Sequence, residues 1–282
     1  MNFCKTLLLI LLCFFLANKP LAETRKIYFG KNKEIILNGN FIQGGLVEGK
    51  SFPKTSIKFL DRLIYQDKNN RFVLGFGRDF PSIATLKIQF KKQFKKHNLI
   101  IKKQNYKIQK INGLPKKMVT PPESIYKRII KENKEIAKIR TLNTKVDFIF
   151  SNFTWPLKGI ITGVFGSQRI LNGKPRRPHY GIDIAANKGT KILAPIKSIV
   201  RMAAVDLYFT GGTIMLDHGH GVTSVYSHLS KVLVQIDEKV KKGQVIGLVG
   251  STGRSTGPHL DWRVNWFNQR LDPSLLIKSG KK

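Results

Sequence analysis

Cysteine is nearly missing from the chain. The two present, Cys4 and Cys13, both fall in the apolar N-terminal segment. Without that segment no thiol remains, which excludes disulfide scaffolds, thiol catalysis and zinc ribbons. Acidic residues are also scarce. Asp and Glu number 17 against 50 Lys and Arg, a formal charge of +33. A chain so short of negative charge associates with something anionic: a nucleic acid, a lipid surface or an acidic wall polymer. Part of the excess reads as a compositional bias of the source, because Lys, Asn and Ile are all abundant.

The chain opens with MNFCKTLLLILLCFFLANKPLAETRK. One Lys precedes an apolar run from Thr6 to Ala17, followed by a short polar stretch and the small residue Ala22. This is the layout of a signal peptide over residues 1–22, cut near Ala22. The run is too short to span a bilayer comfortably. The expected location is the periplasm or cell envelope. Export removes the usual nucleic-acid target, so no nucleic acid is expected as a partner.

With 282 residues and 41% hydrophobic content, two folding units are expected. Residues 23–118 read as a small β-sandwich or barrel-like domain. Short alternating runs such as ATLKIQF, with Leu86, Ile88 and Phe90 on one face, are broken by turns at Gly39-Asn40, Gly44-Gly45, Asn69-Asn70 and Asn112-Gly113. Residues 91–110 hold eight Lys and no acid. They read as a solvated hairpin face, with contact to an anionic polymer as the functional alternative. Residues 119–152 read as a linker helix and its connection. Thr120 suits a cap, Pro121 suits the first turn, and Ile125, Ile129, Ile136 and Ile139 share one side. The helix is expected between the two domains. Residues 153–277 read as an all-β, catalytic-looking domain, and 278–282 as a basic tail.

Five of the six histidines lie between positions 179 and 259. His179 and Asp183 are four apart; His259 and Asp261 are two apart. Even spacing in a strand places side chains on one face. Two strands, each offering an imidazole and a carboxylate, can frame one divalent cation, and both groups are ordinary zinc donors. His228 ends the run GVTSVYSHL and can activate or orient water. Any one of these histidines, taken alone, is more often a buried or surface imidazole than a catalytic one. Ser and Thr in GSTGRSTG suit a groove wall; the run lacks the Gly-Lys-Ser/Thr ending of a phosphate loop. Trp262 and Trp266 are expected in the core. ILNGKPRRP, before His179, suits a flap over the site.

The pieces GVFGSQR, HYGIDIAANKGTKILAPIKSIV, GGTIMLDHGHGVTSVYSHLS, VKKGQVIGLVGSTGRSTGPHL and the terminal LDP run through about 155–275. In order and spacing they resemble the lysostaphin-type, LytM-like zinc endopeptidases that cut peptidoglycan cross-bridges. The upstream part resembles, less closely, the β-rich regions ahead of such domains in exported Gram-negative-type proteins. The resemblance implies a mostly β protein whose C-terminal metallopeptidase domain is of the duplicated-hybrid-motif type. It implies one Zn²⁺ held by His179, Asp183 and Asp261, with His228 and His259 catalytic. Asp261 departs from the pattern, since the family usually has a histidine there. His218 matches a structural turn position and His220 matches nothing. The implied activity is hydrolysis of stem peptides or cross-bridges in peptidoglycan by metal-activated water. The alternative is a catalytically inactive LytM-like activator that docks on a cell-wall amidase. The implied partners are peptidoglycan and either such an amidase or a membrane regulator.

Asp261 can replace an imidazole that binds through Nδ1, because both donor atoms lie two bonds beyond Cβ. Two carboxylates and one neutral imidazole cancel the formal charge of Zn²⁺. Such a site is expected to polarise a carbonyl less strongly than one with a single carboxylate. Its oxygen donors also admit manganese or another divalent metal.

Overall fold

The computed structural model describes residues 22–277. All of the signal peptide expected over 1–22 except Ala22, and the basic tail expected at 278–282, lie outside the described residues. Alternating apolar and polar residues build the first strands. They are β1 (Glu23–Gly30), β2 (Lys33–Gly39), β3 (Leu46–Phe52), β4 (Ser56–Phe59), β5 (Arg62–Leu63), β6 (Arg71–Gly75), β7 (Ile83–Phe90) and β8 (Gln93–Ile100). Two four-stranded antiparallel sheets result, ordered β1-β2-β3-β6 and β5-β4-β7-β8. Ile35, Leu37, Val47, Ile57, Leu74 and Leu86 are buried in one apolar cluster. Each such side chain contributes about 1.5–3 kcal/mol on burial. The small β-sandwich expected from the alternation is present.

The Lys-rich stretch is not a single hairpin. Lys91 and Lys92 form the turn between β7 and β8, and β8 is exposed from Gln93 to Lys96. Beyond Ile101 the chain leaves the sheet. β9 (Ile108–Ile111) then pairs in parallel with a strand about sixty residues ahead, a non-local pairing that periodicity does not encode.

Two helices follow, α1 (Lys116–Val119) and α2 (Glu123–Arg140). Thr120 does not cap α2. It closes α1 with its N–H on the Lys116 carbonyl, and α2 begins after Pro122 with no side-chain cap. Pro122 forces the preceding residue out of the helical region, so the helix cannot start at Pro121. Nor does α2 sit between the two parts of the chain. Ile136 and Ile139 pack on Met202, Leu207, Met215 and Val225, on the outer face of the C-terminal sheet.

The C-terminal strands are β10 (Ile160–Gly163), β11 (Gln168–Leu171), β12 (Lys174–Pro175), β13 (Ile182–Ala185), β14 (Lys191–Leu193), β15 (Ser198–Leu207), β16 (Gly211–Gly219), β17 (Val222–Val232), β18 (Lys239–Val240), β19 (Val245–Val249), β20 (His259–Trp266) and β21 (Gln269–Leu271). β9, β11 and β12 make a small separate sheet. The large sheet runs β10-β13-β20-β17-β16-β15-β18, with β14, β19 and β21 attached to it. β20 is interior, flanked by β13 and β17, and its faces differ in character. Leu260, Trp262, Val264 and Trp266 are buried in the apolar core, as expected for both tryptophans. His259, Asp261 and Arg263 alternate with them. The Trp266 ring lies 5.8 Å from that of Phe59, so the core runs without a break from the N-terminal sandwich into the C-terminal sheet. Among the described residues no helix is long and apolar enough to cross a membrane.

Candidate metal centre

The register of β13 against β20 sets Asp183 directly opposite Asp261. Cross-strand neighbours project to the same side of a sheet, about 5 Å apart. His179 comes from the turn before β13, where its N–H bonds the Ser167 carbonyl and its own carbonyl accepts from Gly166. One ligand atom from each of His179, Asp183 and Asp261 lies within 4.8 Å of the others. The three residues are 1%, 8% and 1% exposed. Both ring nitrogens of His179 and Oδ1 of Asp183 are buried without a hydrogen-bond partner, although His179 Nε2 stands 3.1 Å from that oxygen. Unpaired donors at one buried point are costly unless something binds them. One nitrogen and two carboxylates therefore fit a divalent cation.

Two further histidines close on the same point. β17 places Ser227 opposite Asp261, so strict alternation would send His228 to the other face. The backbone avoids this. His228 has φ 68°, and the pairing of β16 with β17 shifts register beside it. Such a bulge re-aims a side chain. The rings of His228 and His259 lie 4.7 Å apart, and His259 Nε2 is 3.9 Å from Asp183 Oδ1. His228 Nδ1 donates to the Thr252 carbonyl at 2.7 Å, and His259 Nδ1 donates to the Gly257 carbonyl at 2.8 Å. A carbonyl only accepts, so in each neutral ring Nε2 keeps the lone pair. Burial pushes His228 down to about 4, against the pull of the Asp261 carboxylate, and His259 lowers it further. The imidazole of His228 is therefore neutral near pH 7.

Each carboxylate has its own guanidinium. Arg169 of β11 bonds Asp183 Oδ2. Arg263 bonds both oxygens of Asp261, with Nε at 2.9 and 3.1 Å and one terminal nitrogen closer still. Burial alone would raise both carboxyls. Arg263 overrides it at Asp261, and His179 with Arg169 at Asp183, so both stay below the usual range. Neither arginine is evident from the histidine pattern. Arg263 carries a legible signal, since it is two residues beyond Asp261 on an extended segment. Arg169 carries none, because only packing of β11 brings it to Asp183. Ser227, whose buried Oγ has no partner, also escapes the pattern.

The other histidines stand apart. His218 is fully buried between the hydroxyls of Ser198 and Ser224, at 3.0 and 2.7 Å. His220 bonds Asp147 at 3.0 Å and packs on Tyr65 and Phe150.

Segment 114–120 joins the two sides of the site. Leu114 and Val119 pack on Leu171 beside β11 and β12, and Arg176 bonds the Val119 carbonyl at 2.8 Å. On the other side of the segment, Tyr208 Oη bonds the Lys117 carbonyl at 2.7 Å, and Arg254 reaches the Met118 carbonyl at 3.4 Å. Arg254 belongs to the loop whose Thr252 holds His228.

Residues 177–273 match the profile of peptidase family M23. A metalloprotease of Buchnera aphidicola subsp. Baizongia pistaciae, itself uncharacterized, is 34% identical over 193 residues, 66% of this chain and 50% of that protein. The DD-carboxypeptidase/endopeptidase Mpg of Neisseria meningitidis serogroup B is 40% identical over 97 residues, 34% of this chain and 22% of that protein. The chain thus spans half or less of the length of these curated relatives. The solved structure of a Pseudomonas aeruginosa protein assigned to peptidase M23 superposes with a TM-score of 0.66 at 25% identity, covering 84% of this chain and 94% of that one. The matched region holds all five converging polar residues, and residues 177–273 of the chain are a peptidase family M23 domain.

Proposed function

We propose that the protein is an exported metalloendopeptidase that hydrolyses peptide bonds in peptidoglycan stem peptides or cross-bridges. The observation that carries this reading is the meeting of His179, Asp183 and Asp261 donor atoms within 4.8 Å, in a fold shared with M23 peptidases. His179, Asp183 and Asp261 hold the cation, zinc or another divalent ion. When bound, it supplies a positive centre that polarises the scissile carbonyl and acidifies water. His228 and His259 do the proton work at Nε2. Each takes a proton from the attacking water or returns one to the leaving amine, and each can donate to oxyanion charge once protonated. Their Nδ1–H bonds to main-chain carbonyls fix the rings while this happens. A leader cut near Ala22 delivers the protein to the periplasm or cell envelope, where its positive charge keeps it on anionic material.

A second reading has one observation in its favour. The site is closed, with His179, Asp183, His228 and Asp261 all under a tenth exposed. A closed site suits a module that docks on and activates a cell-wall amidase without cutting anything. Elemental analysis and digestion of isolated sacculi separate the two. The peptidase reading expects bound metal and released muropeptides, both lost in His179→Ala. Absence of digestion by the metal-loaded protein, together with amidase stimulation that survives in His179→Ala, refutes it.

A further inference from the structure

Asp261 adds a second negative charge to the donor set, and the structure supplies the counter-charge two residues along. In the extended β20, His259, Asp261 and Arg263 project to one side. Arg263 bonds both oxygens of Asp261. Asp261 is 1% exposed by side chain and Arg263 29%, so the pair points inward with the guanidinium on the outer side. Gly181 keeps the slot open. A Cβ there would stand 2.5 Å from Arg263 Cγ and 2.8 Å from Asp261 Oδ1. The pair is thus fixed by β20 alternation, a bidentate bond and a facing glycine.

We propose that Asp261 and Arg263 form a single charge-neutral ligand unit, in which Arg263 sets how tightly the site binds its cation. An ionised Asp–Arg pair has the formal charge of a neutral imidazole. The oxygen ligand therefore brings no extra net charge, and a bound cation keeps its positive charge for polarising a carbonyl. Arg263 is a positioning residue, bonded to Asp261 and with its charge also facing the Asp183 carboxylate. The idea rests on the metal-site reading above, and its signature is unusual. Removing the guanidinium charge tightens cation binding and slows hydrolysis. An arginine that merely oriented Asp261 would, on removal, weaken both.

The test is titration of the purified protein with Co²⁺ followed by absorbance, and with Zn²⁺ in competition with a chromophoric chelator. Arg263→Gln keeps a donor but loses the charge, and by removal of the repulsion between guanidinium and cation is expected to bind both ions about tenfold more tightly. Arg263→Lys keeps the charge and is expected within about threefold of the natural protein. The pair D261N and D261N/R263Q guards against a misfolded single variant. The double variant is expected to bind about tenfold more tightly than D261N, because the stranded cation has gone. Equal or weaker binding in R263Q, or no gain of the double variant over D261N, overturns the proposal. If the natural protein binds Co²⁺ through His179 in that case, the metal site itself stands. No binding by any variant overturns both.

Discussion

His228 has φ 68°, a conformation that costs a non-glycine residue on the order of 1 kcal/mol or more. The return is direction: a strand residue of the wrong parity faces His259 across 4.7 Å. Space is managed as closely as direction. Gly163 pairs with Asp183, and a Cβ at Gly163 would press on the Asp183 carboxylate. Its φ is unremarkable, so Gly163→Ala tests crowding alone. That variant is expected to lose about tenfold or more in metal affinity and in hydrolysis while keeping the native far-UV and near-UV circular dichroism. Unchanged metal affinity would mean that Asp183 has room to move. Individual ligands are partly legible at this scale: even spacing puts His259 and Asp261 on one face of β20, but His179 does not share a strand with Asp183 as the spacing suggests, and a turn before β13 delivers it instead. The charge balance is not legible. Two carboxylates and an imidazole imply a site that cancels Zn²⁺, whereas Arg169 and Arg263 in the folded protein restore the missing positive charge.

Elements behave less predictably than residues. The alternation in β7 and β20 and the amphipathic face of α2 are local, and the expected strands and helix exist where that alternation runs. The crossing of segment 114–120 from β11 and β12 to the loop of Arg254 is not local. It depends on parallel pairing of β9 with β11 and on Asn172, which receives the Leu114 N–H at 3.3 Å and donates to the Leu114 carbonyl at 2.7 Å. This segment bonds Arg176 on the His179 side and Tyr208 and Arg254 on the His228 side, and on the peptidase reading it limits entry to the site. Loosening it with Leu114→Ala and Val119→Ala together is expected to raise the rate of sacculus digestion severalfold, by enlarging the open fraction. Muropeptide release over time measures this. An unchanged rate would mean that the segment does not limit entry.

Across the whole molecule, buried histidines couple the fold to pH. Burial pushes His218 and His228 to about 4, against an ordinary 6.5. Between those values the unfolded chain binds protons that the folded chain refuses. Stability is therefore full above about pH 6.5 and lost as pH falls toward 4, by about 3 kcal/mol for each histidine. Asp183 and Asp261, held low when folded, act in the same direction below pH 4. Urea unfolding of the metal-free protein is expected to show a midpoint that drops steadily from pH 7 to pH 4.5. A flat midpoint would mean that the two imidazoles gain protons without unfolding.

The amino-acid order alone determined the class of this protein, because alternation, even spacing and turn residues act over a few positions. It determined which side chains belong to one face of a strand and which imidazoles and carboxylates were available as ligands. Only the tertiary structure decided how those faces meet. The register of β13 on β20 set Asp183 against Asp261, a bulge turned His228 inward, and two arginines from β11 and β20 balanced the carboxylates. The reason is physical. Hydrogen-bond register and electrostatic balance depend on which segments become neighbours, and that is settled by packing over the whole core.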